Sequence, residues 1–279
     1  MGRLGLKGLY YALGVHRFVE YLFFMVFLLF FYGPLMNLAM LAFTESYEYP
    51  AFFPNVISLK WWRFVLAQDN LVASMVTSLA VAILTTAISL CICLPAAYAL
   101  ARFDFPGKRF FQFAYLLSNA FPKIGLYIAI GVIFYRTDLM GTLTGVVLIH
   151  IVNTLMFMTW LPANAFENVP RSQEEAARDV GATPLQTFIA VTLPTAAPGI
   201  LVASIFTFLG SMEEAQGSLL IGFPEIKTIP VVMYSVIFDY PISAGAVFSI
   251  ILVIPTVVLV LLAGKAFGIR SLSDGFKLR

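Results

Sequence analysis

Apolar residues run almost unbroken through six stretches of this chain: Val19–Phe43, Leu71–Leu100, Phe110–Tyr135, Gly141–Leu161, Gly199–Ile221 and Ala244–Phe267. A membrane-spanning helix needs about 20 apolar residues to cross a hydrocarbon core of about 30 Å, and each run approaches or exceeds that length. The runs are continuous and do not alternate at every second position, so they predict helices and disfavour a β-barrel. The second run exceeds a perpendicular crossing and predicts a tilted or projecting helix. The first is too long for the apolar core of a cleaved leader and has no small-residue cleavage site behind it, so it reads as an uncleaved span. The fold class expected is an all-α polytopic membrane protein with six spans.

One polar island breaks the pattern. Ser172 to Pro194 reads "SQEEAARDVGATPLQTFIAVTLP". Ser172 with Glu175 three residues on fits a capping box, and Gly181 fits a left-handed helix stop. Thr183, Pro184 and Gln186 repeat the start signal. The pattern predicts two short helices with a sharp turn at Gly181–Thr183, the second ending near Pro194 and Pro198, before the fifth span. Isolated helices shorter than about 12–15 residues are marginal in water, so both must dock on something. Ala176 and Ala177 allow close approach, and Glu174, Glu175, Arg178 and Asp179 suit a polar cleft in a partner. A hairpin packed on its own spans is the plainer alternative.

Composition agrees with a membrane protein: 60% of residues are hydrophobic, 15% aromatic and 11% charged, and mean hydropathy is +0.90. One membrane domain over residues 19–270 therefore fills the chain, with a cytoplasmic head at 1–18, a tail at 271–279 and the island loop at 170–198. The head, "GRLGLKGLYYALGVHRF", suits a helix lying on the membrane surface. Cys91 and Cys93 diverge on a helix and read as core side chains, not a disulfide.

The net charge of +2 says little, but its distribution says more. With six spans, Arg3, Lys7, Arg17, Arg102, Lys108, Arg109, Arg171, Arg178, Lys265, Arg270, Lys277 and Arg279 share one side. Lys60, Arg63, Arg136 and Lys227 lie on the other. The positive-inside rule puts both termini and the island in the cytoplasm. Trp61 and Trp62, in the outer loop "SLKWWRFVLAQDN", read as an interfacial anchor or as a surface for an extracytoplasmic partner.

The island resembles the EAA loop of permease subunits of ABC importers. Glu175, Ala176, Ala177, Gly181, Val191, Leu193 and Pro194 occupy the positions of that motif, before the next-to-last span. "TIPVVMY", from Thr228, is similar to a "TLPV" segment of the same permeases. The resemblance runs from about Leu59 to the C-terminus. It implies the type I importer permease fold in a bacterial inner membrane. It also implies a coupling helix near Gln173–Val180 seated on a separate ATP-binding subunit, a second permease subunit and an extracytoplasmic substrate-binding protein. ATP and Mg would sit on the partner ATPase and no cofactor on this chain. No nucleic-acid partner is implied.

The chain carries no G-x-x-x-x-G-K-[ST] loop, no H-E-x-x-H and no G-x-S-x-G. No catalytic or metal-binding set is therefore expected, and the chain reads as a transport subunit. A lone ion-coupled carrier is the rival from another class, but it has no use for an EAA-like island.

Ionisable residues at membrane depth are functional candidates. Lys123 follows Pro122 in the third run, and Glu213 and Glu214 lie in the fifth. Adjacent residues diverge by about 100° on a helix, so one acid is expected to pair with Lys123 and the other to face the transport path. A purely structural role for all three stays open. "SMEEA" and the Trp61–Trp62 segment resemble the polyamine-type branch, whose substrates are small charged amines or opines. Lys123 departs from that branch, which tends to carry an acid after this proline, so a zwitterion or a sugar stays open.

Overall fold

The computed structural model describes residues 15–47 and 56–267. The surface helix expected of the head and the tail at 271–279 lie largely or wholly outside these residues. Among the described residues, five helices are long and apolar enough to cross a membrane: Arg17–Ala42, Asn70–Arg102, Leu143–Glu167, Pro184–Met212 and Ile242–Lys265. The helices in chain order are α1 (Val15–Ala42), α2 (Lys60–Leu66), α3 (Asp69–Arg102), α4 (Lys108–Ala120), α5 (Lys123–Arg136), α6 (Leu143–Glu167), α7 (Arg171–Asp179), α8 (Pro184–Met212), α9 (Ile229–Asp239) and α10 (Ile242–Phe267).

The sixth expected span, Phe110–Tyr135, is two helices instead of one. Pro122 has no N–H to donate and disfavours helical backbone at the residue before it. Phe121 accordingly turns extended (φ −87°, ψ 152°), ending α4, and α5 starts at Lys123.

The chain divides into two compact units. The first comprises the described residues to Leu66 together with Asp239–Ile250. In it, Trp61 Nε1–H donates to the Glu45 carbonyl at 2.9 Å, and Thr44 and Ile57 form an isolated bridge. Trp61 is buried, so it fastens the loop behind α1 and is neither a free interfacial anchor nor an open docking surface.

The second unit comprises Ala67–Phe238 and the residues from Ile251. Its core is α3, α6 and α8 packed on one another. Leu71, Ser74, Ser78, Val81, Thr85, Ser89, Cys93 and Ala97 recur every three or four positions on α3 and are buried. In lipid there is no hydrophobic drive between spans, so helices associate through small and hydroxylated side chains that let backbones approach. The α6–α8 seam follows the same rule. A Cβ added at Gly210 would stand 3.1 Å from Thr154 Cγ2, and one at Gly199 would stand 2.5 Å from Ala165 Cβ. Cys91 is exposed and Cys93 buried, both as free thiols.

Candidate functional site

The island builds as its local chemistry dictates, with two departures. Helix α7 begins at Arg171 behind Pro170, two residues earlier than a Ser172 cap requires. Proline presets the extended cap backbone (φ −62°, ψ 124°), and Gln173 N–H already bonds the Pro170 carbonyl, so the Ser172–Glu175 box does not form. The stop does form. Gly181 has φ +94°, Ala182 N–H donates to Ala177 O at 3.1 Å, and Gly181 N–H donates to Arg178 O at 2.9 Å. This is the paired-bond left-handed cap in which glycine carries no steric penalty.

The second start is a complete capping box. Thr183 Oγ1 accepts from Gln186 N–H at 3.3 Å, and Gln186 Oε1 accepts from Thr183 N–H at 2.8 Å. The helix so started does not end at Pro194. It widens to a π turn at Phe188–Thr192, where Leu193 N–H reaches the Phe188 carbonyl five residues back, and continues to Met212. Pro194 cannot donate to the preceding turn, and the extra residue of the π turn takes up the mismatch. Thr195 Oγ–H also bonds the Val191 carbonyl at 2.7 Å. The outer end of the island and the fifth span are thus one rod.

The faces of α7 differ from the expectation. Glu175, Ala176, Arg178, Asp179 and Gly181 are exposed and Ala177 is half-buried. Glu174 is buried and points inward: its Oε1 accepts from Arg102 Nη2 at 3.0 Å and from Thr192 Oγ–H at 2.6 Å. It therefore does not belong to the outward charge set. A four-residue helical repeat puts Glu174 and Arg178 near one face, but the packed core claims only the first.

The three charges of the membrane region are also sorted. Lys123 is the first residue of α5, next to the Pro122 break. Helix α8 ends at Met212, so Glu213 and Glu214 lie at its end and not within a spanning helix as expected. Glu214 is buried. Its Oε2 accepts from Tyr127 O–H at 2.8 Å, and its Oε1 accepts from Gly217 N–H at 2.8 Å. Lys123 Nζ stands 4.0 Å from the same Oε2. Glu213 is exposed. The fold thus brings Lys123 to Glu214 and leaves Glu213 apart.

His150 joins this cluster unannounced. It is buried on α6, with Nδ1 2.7 Å from Ser211 Oγ and Nε2 2.8 Å from Ser218 Oγ. Ser218 Oγ–H also reaches the Glu214 carbonyl at 3.1 Å, and Asn153 Nδ2 donates to the Gly210 carbonyl at 3.2 Å. The broken chain after α8 would otherwise leave polar groups unpaired, and these side chains satisfy them. The signal available in the sequence was a pair of polar residues, His150 and Asn153, three apart in an apolar run.

Known proteins share this architecture. A family model described as binding-protein-dependent transport system inner membrane component matches residues 6–269. The trehalose transport system permease protein SugB of Mycobacterium tuberculosis is 31% identical over 214 residues, 75% of this chain and 78% of that one. The diacetylchitobiose uptake system permease protein DasC of Streptomyces coelicolor is 29% identical, over 66% of this chain and 67% of the relative. A crystal structure of a bacterial ABC transporter that imports the acidic polysaccharide alginate superposes with a TM-score of 0.69 over 91% of this chain and 96% of that chain, at 19% identity. The methionine transporter MetNI superposes with a TM-score of 0.61, covering 77% and 98%, at 20% identity. The apolar helices, their packing and a family match along nearly the whole chain converge: this chain belongs to the binding-protein-dependent transport system inner membrane components, and is a multi-pass permease subunit of an ABC importer with the type I fold.

Proposed function

We propose that this permease imports a sugar or sugar derivative, handed over by an extracytoplasmic binding protein and driven by ATP and Mg held on a separate subunit. The disposition of charge carries the reading. A path for a polyamine needs accessible carboxylates. Of the two acids here, Glu214 has both oxygens engaged by Tyr127 and Gly217 and only Glu213 is exposed, while the Lys123 side chain, 44% exposed, keeps hydrogens for an acceptor oxygen. A cation beside the path opposes a polycationic substrate and suits hydroxyl or anionic oxygens. The relatives point the same way, being named for trehalose, diacetylchitobiose and sulfoquinovosyl glycerol transport. The amine reading rests on "SMEEA" and the tryptophan pair, and the burial of Glu214 and Trp61 weakens both supports.

The exposed face of α7 is the surface proposed to seat the ATP-binding subunit, with Glu175, Ala176, Ala177, Arg178 and Gly181 at the contact. ATP-driven movement there would pass along the α8 rod into the fifth span. Alternating access would then be a switch between two packings of the spans, with a second permease subunit across the path. Both termini would face the cytoplasm, on the side of the island.

Uptake assays test the substrate class. Cells lacking this gene should lose accumulation of a labelled disaccharide such as trehalose or diacetylchitobiose and keep that of spermidine. Loss of spermidine uptake with all disaccharides unaffected would return the amine reading.

A further inference from the structure

We propose that Arg102, Glu174 and Thr192 form an internal latch that makes the second span move with the coupling loop. The inference rests on the coupling role proposed for α7, and adds a route for the stroke that the chain connectivity does not supply. Helix α8 follows α7 after a capped turn, so the fifth span is tied to the loop covalently. Helix α3 ends at Arg102, seventy-two residues before Glu174. Nothing in the local chain obliges it to follow.

The latch closes that gap. Arg102 Nη2 donates both to Glu174 Oε1 at 3.0 Å and to the Val169 carbonyl at 2.9 Å. The same Oε1 accepts from Thr192 Oγ–H at 2.6 Å. One oxygen and one nitrogen thus join the end of α3, the strap behind α6, the first turn of α7 and the π turn of α8. The side chains of Arg102 and Glu174 are only 8% and 7% exposed. Tyr98, Phe166 and Phe188 close around the adjoining core, with ring centroids 5.3 Å apart for Tyr98–Phe166 and 4.9 Å for Tyr98–Phe188. Charge-assisted bonds in such a dry setting are short, directional and slow to exchange with water. A guanidinium fork serves two acceptors at fixed angles, which a lysine does not. Thr192 matters for its position: it closes the π turn where α8 departs from regular helix, and a bond there ties that turn to the loop.

These are positioning residues, acting through α3 and α8 on the transport path. Their test is a distance, not an activity. Spin labels go on Asp104→Cys, just past the latch and fully exposed, and on Ser172→Cys, exposed at the start of α7 and outside the proposed contact, in a Cys91→Ser background that keeps the buried Cys93, and in the assembled complex with its ATP-binding subunit. In the wild-type latch the label separation should hold within about 2 Å between nucleotide-free and AMP-PNP-bound complexes, inside the range of small helix shifts. With Glu174→Gln or Thr192→Val the distribution should broaden and shift on nucleotide binding. Thr192→Ser, which keeps the hydroxyl, should behave as wild type. A nucleotide-dependent change of about 5 Å in the unmutated latch, one helical turn, overturns the proposal. So does an unchanged distribution in both Glu174→Gln and Thr192→Val. If Glu174→Gln does not assemble, the wild-type measurement and the Thr192 pair decide. Failure of the ATP-binding subunit to co-purify with the unmutated chain would count against the coupling role of α7 itself and is scored before any labelling.

Discussion

Lys123 Nζ lies 4.0 Å from Glu214 Oε2, yet the two side chains differ sharply in access: 44% of the lysine is exposed and 4% of the glutamate. Tyr127 and the Gly217 amide already serve the carboxylate, so the ammonium is an attendant charge and not its sole support. A pair with one half-exposed member is screened by solvent and contributes about 0–1 kcal/mol.

That ordering gives a test by substitution. Tyr127→Phe, which removes a hydrogen bond from a buried acceptor, should cost about 1–3 kcal/mol of stability. Lys123→Met should cost less, leaving purified protein intact while changing substrate affinity. Thermal unfolding in detergent ranks the two. A larger loss for Lys123→Met would make the ion pair, and not the hydrogen bonds, the support of Glu214.

The turn between α7 and α8 is a second target. Thr183→Ala dissolves the capping box at a cost of about 0.5–2 kcal/mol, small for the whole domain and large for one helix start. Gly181→Asp forces a side chain into a left-handed backbone, at roughly 1–2 kcal/mol. Membrane levels should stay normal and transport should fall. Loss of the protein from the membrane would show that the turn is needed to fold, not only to couple.

Glu175 and Glu174 should separate despite being neighbours. Glu175→Lys changes an exposed charge, so its melting temperature should stay within about 2 °C of wild type while co-purification of the ATP-binding subunit drops. Glu174→Lys puts a second cation against the buried Arg102 and should abolish stable protein. Equal behaviour of the two variants would contradict the opposite facing of these side chains.

His150→Ala should strand the hydroxyl of Ser211, leave Ser218 with only its bond to the Glu214 carbonyl, and open a void between α6 and the chain after α8. A buried hydrogen-bonding group left without its partner costs about 1–3 kcal/mol. His150→Gln, long enough to reach one serine, should recover part of it. Expression and melting measurements on the pair would distinguish a hydrogen-bonding role from simple filling of space.

The seam between α6 and α8 yields the last prediction. Gly210→Val would press a side chain on Thr154, where even a Cβ stands at 3.1 Å, and overpacking of this kind costs about 1–3 kcal/mol. Gly210→Ala should be milder. If both variants melt as wild type does, the helices are free to separate there and the seam is not tight.

What the sequence determined by itself was local. Long apolar runs mark spans because lipid leaves backbone groups no alternative to helix, and four of the long helices fall close to those runs. Gly181, Thr183 and Gln186 announce their turn because caps are made within a few residues. Pro122 breaks a run whose hydropathy alone promised continuity, and Pro194 fails to break one because a π turn absorbs it. Those outcomes turn on hydrogen-bond bookkeeping that average hydropathy does not register. The tertiary structure alone decided which of two adjacent glutamates turns inward, and it did so twice. Glu174 over Glu175 is chosen by Arg102, and Glu214 over Glu213 by Tyr127, partners seventy-two and eighty-seven residues away. His150 was settled in the same way, by Ser211 and Ser218. A buried polar group must find its complement wherever packing brings one, and along the chain that complement leaves no periodic trace.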